Sequence, residues 1–118
     1  YKYALERKAF GKPIGKFQSV SNKIVQMKLR LESSRLLMYR AGWLRASGED
    51  AGAEVAMAKL SISEAWVASS LDAIQIHGGY GYATETGVER DLRDAMGSRI
   101  YSGTSEIQHD LIARALGL

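Results

Sequence analysis

Cysteine is absent from all 118 residues. Disulfides, thiolate metal sites and cysteine nucleophiles are therefore excluded. The two histidines, His77 and His109, lie too far apart in sequence to make a paired metal-ligand motif. Proline occurs once, at Pro13, so nothing downstream of it forbids long uninterrupted helices. No apolar run approaches the roughly 20 residues needed to span a bilayer. Charge of one sign is also not concentrated. The 16 basic and 13 acidic residues are interleaved, net charge is only +3, and no basic cluster carries interleaved aromatics. That pattern does not predict a nucleic-acid partner. No segment alternates apolar and polar residues with period two, so no sheet is expected.

What is present is helical periodicity. Residues 1–9 read as the last turns of a helix already under way, since Tyr1 has no cap before it and is not Met. The expectation is a fragment of a longer protein, with any targeting segment upstream. Phe10-Gly11-Lys12-Pro13-Ile14-Gly15 breaks that helix. From about Ser19 or Ser21 to Ser47, Val20, Ile24, Met27, Leu31, Leu37 or Met38, Ala41 and Leu44 follow the three-four spacing of a buried face, and Gly48 stops the run. A helix of that length is ~40 Å long and needs an equally long partner. The Ala-rich stretch from about Asp50 to Ile76 supplies it, with small residues that permit close approach. A shorter helix is predicted over about 87–95, closed by Gly97, and a last one runs from the 102–105 turn to about Ala115. Together these spacings predict an all-α, antiparallel up-down bundle of four-helix type, its first helix truncated.

Three glycine-containing breaks interrupt the helices: Arg7 to Gly11, Gln75 to Gly81, and Tyr101 to Gln108. Bundles need turns and turns need glycine, so each alone is explained by the fold. As a set they offer more. Arg7 can grip a phosphate through two parallel hydrogen bonds. Gln75 and the adjacent glycines expose backbone to a flat ligand. Gly103 permits a turn, and Thr104 or Ser105 can cap the helix that follows, with Ser105 and Gln108 at capping-box spacing. The free amides and positive dipole end of that helix favour an anion or a polar cofactor edge. The combination suits a nucleotide-type cofactor better than a metal or a protease triad.

The same stretches carry a specific resemblance. Tyr3-Ala4-Leu5-Glu6-Arg7-Lys8-Ala9-Phe10-Gly11-Lys12, Gln75-Ile76-His77-Gly78-Gly79-Tyr80-Gly81-Tyr82, Arg93-Asp94-Ala95 and Tyr101-Ser102-Gly103-Thr104-Ser105-Glu106-Ile107-Gln108 stand in the order and spacing of the acyl-CoA dehydrogenase family. The sequence resembles that family's C-terminal helical domain over essentially the whole chain, 1–118. The resemblance implies a longer FAD flavoprotein, with N-terminal helical and middle β domains, that α,β-dehydrogenates an acyl-CoA and passes electrons to an electron-transferring flavoprotein. It implies a homotetramer built as a dimer of dimers, or a heterotetramer, in a bacterial cytoplasm or a mitochondrial matrix. By motif, Arg7 meets the FAD pyrophosphate with Phe10 and Gln18 nearby. Gln75, Ile76, His77, Gly78 and Gly79 line the adenosine end of a neighbouring subunit's FAD. Thr104 and Glu106 contact FAD, while Tyr101 and Gly103 border the acyl thioester.

One position departs from the pattern. Many members carry glutamate, the general base, where this chain has Ser102. A serine hydroxyl does not accept a proton near neutral pH without an activating base. Branches of the family with a small residue here take their base from the preceding helix, so the base is expected upstream of Tyr1. Glu106, in a first helical turn, reads as a dipole stabiliser and not as its replacement. Serine also leaves room for a branched, bulky or long acyl group. Three rival readings remain: a relative acting on a carrier-protein-bound acyl group, a base-less subunit that binds FAD or a partner within a heteromeric complex, and a bundle with no cofactor. Trp43 and Trp66 fall in helical stripes and read as core or interface packing. Glu89, Arg90, Arg93 and Asp94 are placed for helical ion pairs.

Overall fold

The computed structural model describes residues 1–118. Its elements are α1 (Lys2–Glu6), strands β1 (Lys8–Ala9) and β2 (Lys12–Pro13), α2 (Gln18–Ala46), α3 (Gly52–His77), α4 (Gly79–Tyr82), α5 (Val88–Ser98) and α6 (Ser105–Ala115). Short 3-10 turns at Ile14–Lys16 and Thr84–Thr86 complete the connections. The expected antiparallel helical bundle forms, with α3 as its axis: α2 packs along it, and α4, α5 and α6 pack against it as well.

Alanine makes that axis possible. The buried apolar set is Ala4, Ala41, Leu44, Ala51, Ala56, Ala58, Val67 and Ala95, dominated by side chains too short to hold helix axes apart. Buried serines complete the seams. Ser63 on α3 donates to the Ser98 carbonyl of α5 at 3.1 Å. Asp72, largely shielded on α3, receives Arg30 at 2.7 Å and Lys23 at 3.1 Å from α2. Burial pushes the Asp72 carboxyl up, but the hydrogen bonds and charges of Arg30 and Lys23 more than offset it and hold the group below its ordinary value.

Several expectations are corrected. A sheet exists, though a minimal one: Lys8 pairs with Pro13 and Ala9 with Lys12, antiparallel. Phe10 and Gly11 between them take φ of +51° and +81°, as in the two-residue turns that match strand twist. Two-residue strands are too short to show a period. The first helix stops at Glu6, not residue 9, because Arg7 turns extended to enter that hairpin. Gly97 lies inside α5, which closes one residue later; the Gly97 carbonyl instead accepts from the Ile100 and Tyr101 amides. Leu31, Met38, Val55, Trp66 and Leu71, placed in the helical stripes, stay substantially exposed, as does Trp43. No ion pair forms among Glu89, Arg90, Arg93 and Asp94.

Candidate functional site

The C-terminal end of α3 builds a cleft of about 680 Å³ lined by Tyr3, Arg7, Gln75 to Tyr80 and Glu85, among others. Two of the three glycine breaks therefore meet in space. Tyr3 of α1 stacks on the His77 ring with centroids 4.1 Å apart, which docks the start of the chain against the end of α3. His77 Nδ1 is 2.8 Å from the Ala73 carbonyl, so the ring is fixed on both counts. Arg7 crosses the face of Tyr80 at 5.6 Å and forms no salt bridge, leaving its guanidinium free in the cleft. Gly78 carries φ of +60°, and a Cβ at Gly78 or Gly79 would meet nothing within 4 Å. The backbone there is open to a ligand at close range. An unneutralised arginine beside bare backbone and apolar walls fits a dinucleotide's pyrophosphate and flat base.

Phe10 and Gln18 lie outside that lining. Phe10 is held almost fully exposed at the tip of the hairpin, edge-on to Phe17 at 6.1 Å, and Gln18 is an exposed first residue of α2. An almost bare aromatic on a left-handed turn has its apolar face available to something outside this chain.

The third break lies elsewhere along α3, beside Lys59 and Glu64. At 1.5 Å rise per residue, Glu64 is about 17 Å and Lys59 about 24 Å along the helix from Gln75. Here Ser102 and Gly103 take φ of +57° and +88° in succession. A left-handed serine is uncommon and persists only where surrounding bonds hold it. Gln108 Nε2 reaches back to the carbonyls of Gly103 (3.2 Å) and Ser102 (3.4 Å), and Lys59 Nζ donates to the Gly103 carbonyl at 2.6 Å. Glu64 accepts from Arg99 Nε at 2.8 Å and from the Ser105 hydroxyl at 2.9 Å. The carbonyls are thus tied down, whereas the N–H groups of Ser102, Gly103 and Thr104 have no partner within the chain.

Of the two candidate caps of α6 the structure uses one, and the Ser105–Gln108 capping box does not form. Thr104, not Ser105, is the N-cap, its Oγ1 accepting from the Ile107 amide at 3.4 Å. Ser105 is buried and turned toward Glu64, and Gln108 serves the preceding loop. Glu106 is exposed in the first turn. Its own backbone N–H, and then the Thr104 hydroxyl, hold its carboxyl below the ordinary value of 4.5. A carboxylate stabilised in this way is a weaker proton acceptor, as expected for a dipole stabiliser. Tyr101 and Ser102 are both exposed on the same loop.

Lys59, Glu64 and Arg99 escaped the sequence reading, and Tyr3 and Tyr80 stood in its motifs without a role of their own. Their partners lie 35 to 74 residues away in the pairs Arg99–Glu64 and Tyr3–His77, a separation at which no periodic signal survives.

The comparisons with known proteins accord with this geometry. The model of the acyl-CoA dehydrogenase C-terminal domain matches residues 1–117. The chain belongs to the acyl-CoA dehydrogenase family. An L-prolyl-[peptidyl-carrier protein] dehydrogenase of Serratia sp. (strain ATCC 39006) is 56% identical over 116 residues, 98% of this chain and 30% of that protein. The mitochondrial short-chain specific acyl-CoA dehydrogenase of Mus musculus is 52% identical over 112 residues, 95% and 27% respectively. Among solved structures, the FAD complex of PigA superposes with a TM-score of 0.96 at 56% identity, covering 99% of this chain and 30% of that one. The chain thus spans less than a third of the curated family members it matches.

Proposed function

We propose that this chain is the C-terminal helical domain of an FAD-dependent dehydrogenase that oxidises an acyl group, specifically a prolyl group, held as a thioester on a peptidyl carrier protein. The observation that carries the substrate class is the 56% identity, across nearly the whole chain, to a dehydrogenase of that description. This replaces acyl-CoA, the first expectation, with the carrier-bound alternative. Bound FAD would supply a hydride acceptor.

The chain's own residues divide the remaining work. Arg7 balances the pyrophosphate charge, and Gln75 to Gly79 form a close-fitting backbone surface for the adenosine end. Phe10 and Gln18 serve a neighbouring part of the assembly. Thr104 and Glu106 meet the cofactor at the start of α6, where unpaired amides favour polar or anionic groups. Tyr101 and Gly103 border the thioester. The free Ser102 to Thr104 amides can hydrogen-bond a thioester carbonyl, which stabilises negative charge as the α proton leaves. Ser102 does not take that proton; the carboxylate that does is assigned to the part of the protein upstream of Tyr1. The exposed apolar side chains of α2 (Val25, Leu29, Leu36, Tyr39 and Trp43) support assembly with further helices, consistent with a tetramer.

The test is anaerobic mixing of the full-length oxidised protein with prolyl-loaded carrier protein, butyryl-CoA or isovaleryl-CoA, reading the loss of flavin absorbance. Prolyl-carrier protein should bleach the flavin at least about 10-fold faster than either CoA ester. Equal or faster bleaching by butyryl-CoA would restore the acyl-CoA reading. Bleaching by none of the three would favour the base-less subunit.

A further inference from the structure

Lys59 stands apart from the other cations that bridge elements of this fold. Lys23, Arg30, Arg40 and Arg99 each meet a carboxylate, whereas Lys59 forms no salt bridge. Its ammonium is instead committed to one backbone carbonyl, that of Gly103, at 2.6 Å across the α3–α6 boundary. The side chain is half-buried, so this contact is partly shielded from water. A charged donor makes a shorter and roughly twice stronger bond than a neutral one.

The bond acts on the strained part of the loop. Gly103 sits at φ +88° directly after left-handed Ser102, and the peptide whose carbonyl Lys59 grips also carries the Thr104 N–H. Gripping that oxygen fixes the plane of the Gly103–Thr104 peptide and hence the direction of its amide. Polarising the carbonyl also strengthens the same peptide's N–H as a donor. Gln108 supplies a second, neutral bond to the same oxygen at 3.2 Å, and it travels with α6 itself. Among the side chains of α3, only Lys59 hydrogen-bonds the 102–104 segment itself. Ser63 and Glu64, one turn further on, hold the flanks of the loop at Ser98, Arg99 and Ser105. Neither touches residues 102–104.

We infer that Lys59 is a positioning residue for the oxidation, fixing the Ser102–Thr104 amides against the thioester and cofactor through the Gly103 carbonyl. The inference rests on the function proposed above. Lys59→Met and Lys59→Gln in the full-length protein remove the charge at similar length, and Lys59→Arg retains it. The expected result is unchanged FAD content and a rate of flavin reduction at saturating substrate lower by about 10- to 100-fold. The half-saturating substrate concentration should move by no more than about threefold, as for an interaction made in the transition state. Lys59→Arg should recover most of the rate. A rate within about twofold of the parent in whichever charge-removing variant folds would overturn the inference. So would a loss confined to half-saturation, or one that Lys59→Arg does not restore. If the parent protein is reduced by no thioester, the functional reading itself falls, an outcome visible before any variant is made.

Discussion

Arg7 and Glu106 show how a single side chain's surroundings decide its work. Arg7 is exposed, unpaired with any carboxylate and poised over Tyr80 beside bare glycine backbone. A guanidinium left unneutralised in a cleft is a ready partner for phosphate oxygens. Arg7→Gln should weaken FAD binding by about 10- to 100-fold, the worth of a charge-assisted hydrogen-bond pair. The ratio of flavin to protein absorbance after dialysis, and titration calorimetry on the apo form, would read that loss. Glu106 points the other way. Its carboxyl is held below 4.5 by bonds from its own backbone N–H and Thr104. A depressed folded-state value stabilises the fold above the unfolded value and loses that contribution as pH falls through the folded one. The parent should therefore melt higher than Glu106→Gln at pH 7, and the gap should begin to shrink near pH 4.5 and close as the pH falls through the lower folded-state value. Because Glu106 is fully exposed, added salt should shrink the gap as well.

Among the elements, α3 sets the geometry of both clusters. Its C-terminal end carries Gln75 to His77 into the cleft, and its middle carries Lys59, Ser63 and Glu64 under the loop between α5 and α6. The corner after α3 is tight. Gly81 of α4 is buried so closely on α3 that a Cβ there would stand 2.6 Å from the Ile74 carbonyl oxygen and 2.9 Å from its Cα. Backbone cannot give way as a flexible side chain can. Gly81→Ala should destabilise the protein by about 1–3 kcal/mol, the usual cost of overpacking. Hydrogen exchange should quicken first at the end of α3 and in α4, with α2 left protected. The helices themselves were legible in the sequence. The predicted long pair, 19/21–47 and 50–76, differs from α2 and α3 by one to three residues at each end, because three-four spacing over many turns averages out local ambiguity. The hairpin was not legible, since two residues per strand carry no period. The sequence left Thr104 and Ser105 both open as the cap of α6. Ser105 and Thr104 are chemically equivalent as caps, and only Glu64, far away in sequence, draws Ser105 inward.

At the scale of the whole molecule, the chain is a rod. Its extents are 55 × 25 × 24 Å and its radius of gyration 17.3 Å, against about 13.5 Å for a compact domain of this length. No large apolar side chain is fully buried, and α2 displays Val25, Leu29, Leu36, Tyr39 and Trp43 to solvent. Such a patch on an isolated surface marks contact with other protein. The 118 residues purified alone should elute well above their 13.0 kDa mass and bind a hydrophobic dye. Leu36→Glu with Trp43→Glu should reduce both signals. The same isolated chain should bind FAD at least about 100-fold more weakly than the full-length protein, because a cofactor gripped from one side loses most of its contacts.

The sequence by itself determined the helical bundle, its two long members and the family, for a local reason. Helical period, alanine density and contiguous glycine motifs each fit within a few tens of residues and survive without knowledge of the fold. It also put serine, a hydroxyl that accepts no proton near neutral pH without an activating base, where many family members carry glutamate. Only the tertiary structure decided that Arg7 shares a cleft with Gln75 to Gly79 while the Tyr101–Glu106 loop lies farther along α3. It alone set Lys59 on the Gly103 carbonyl. Those placements depend on how α3 meets elements tens of residues away, and contacts of that range are fixed by packing and charge in three dimensions.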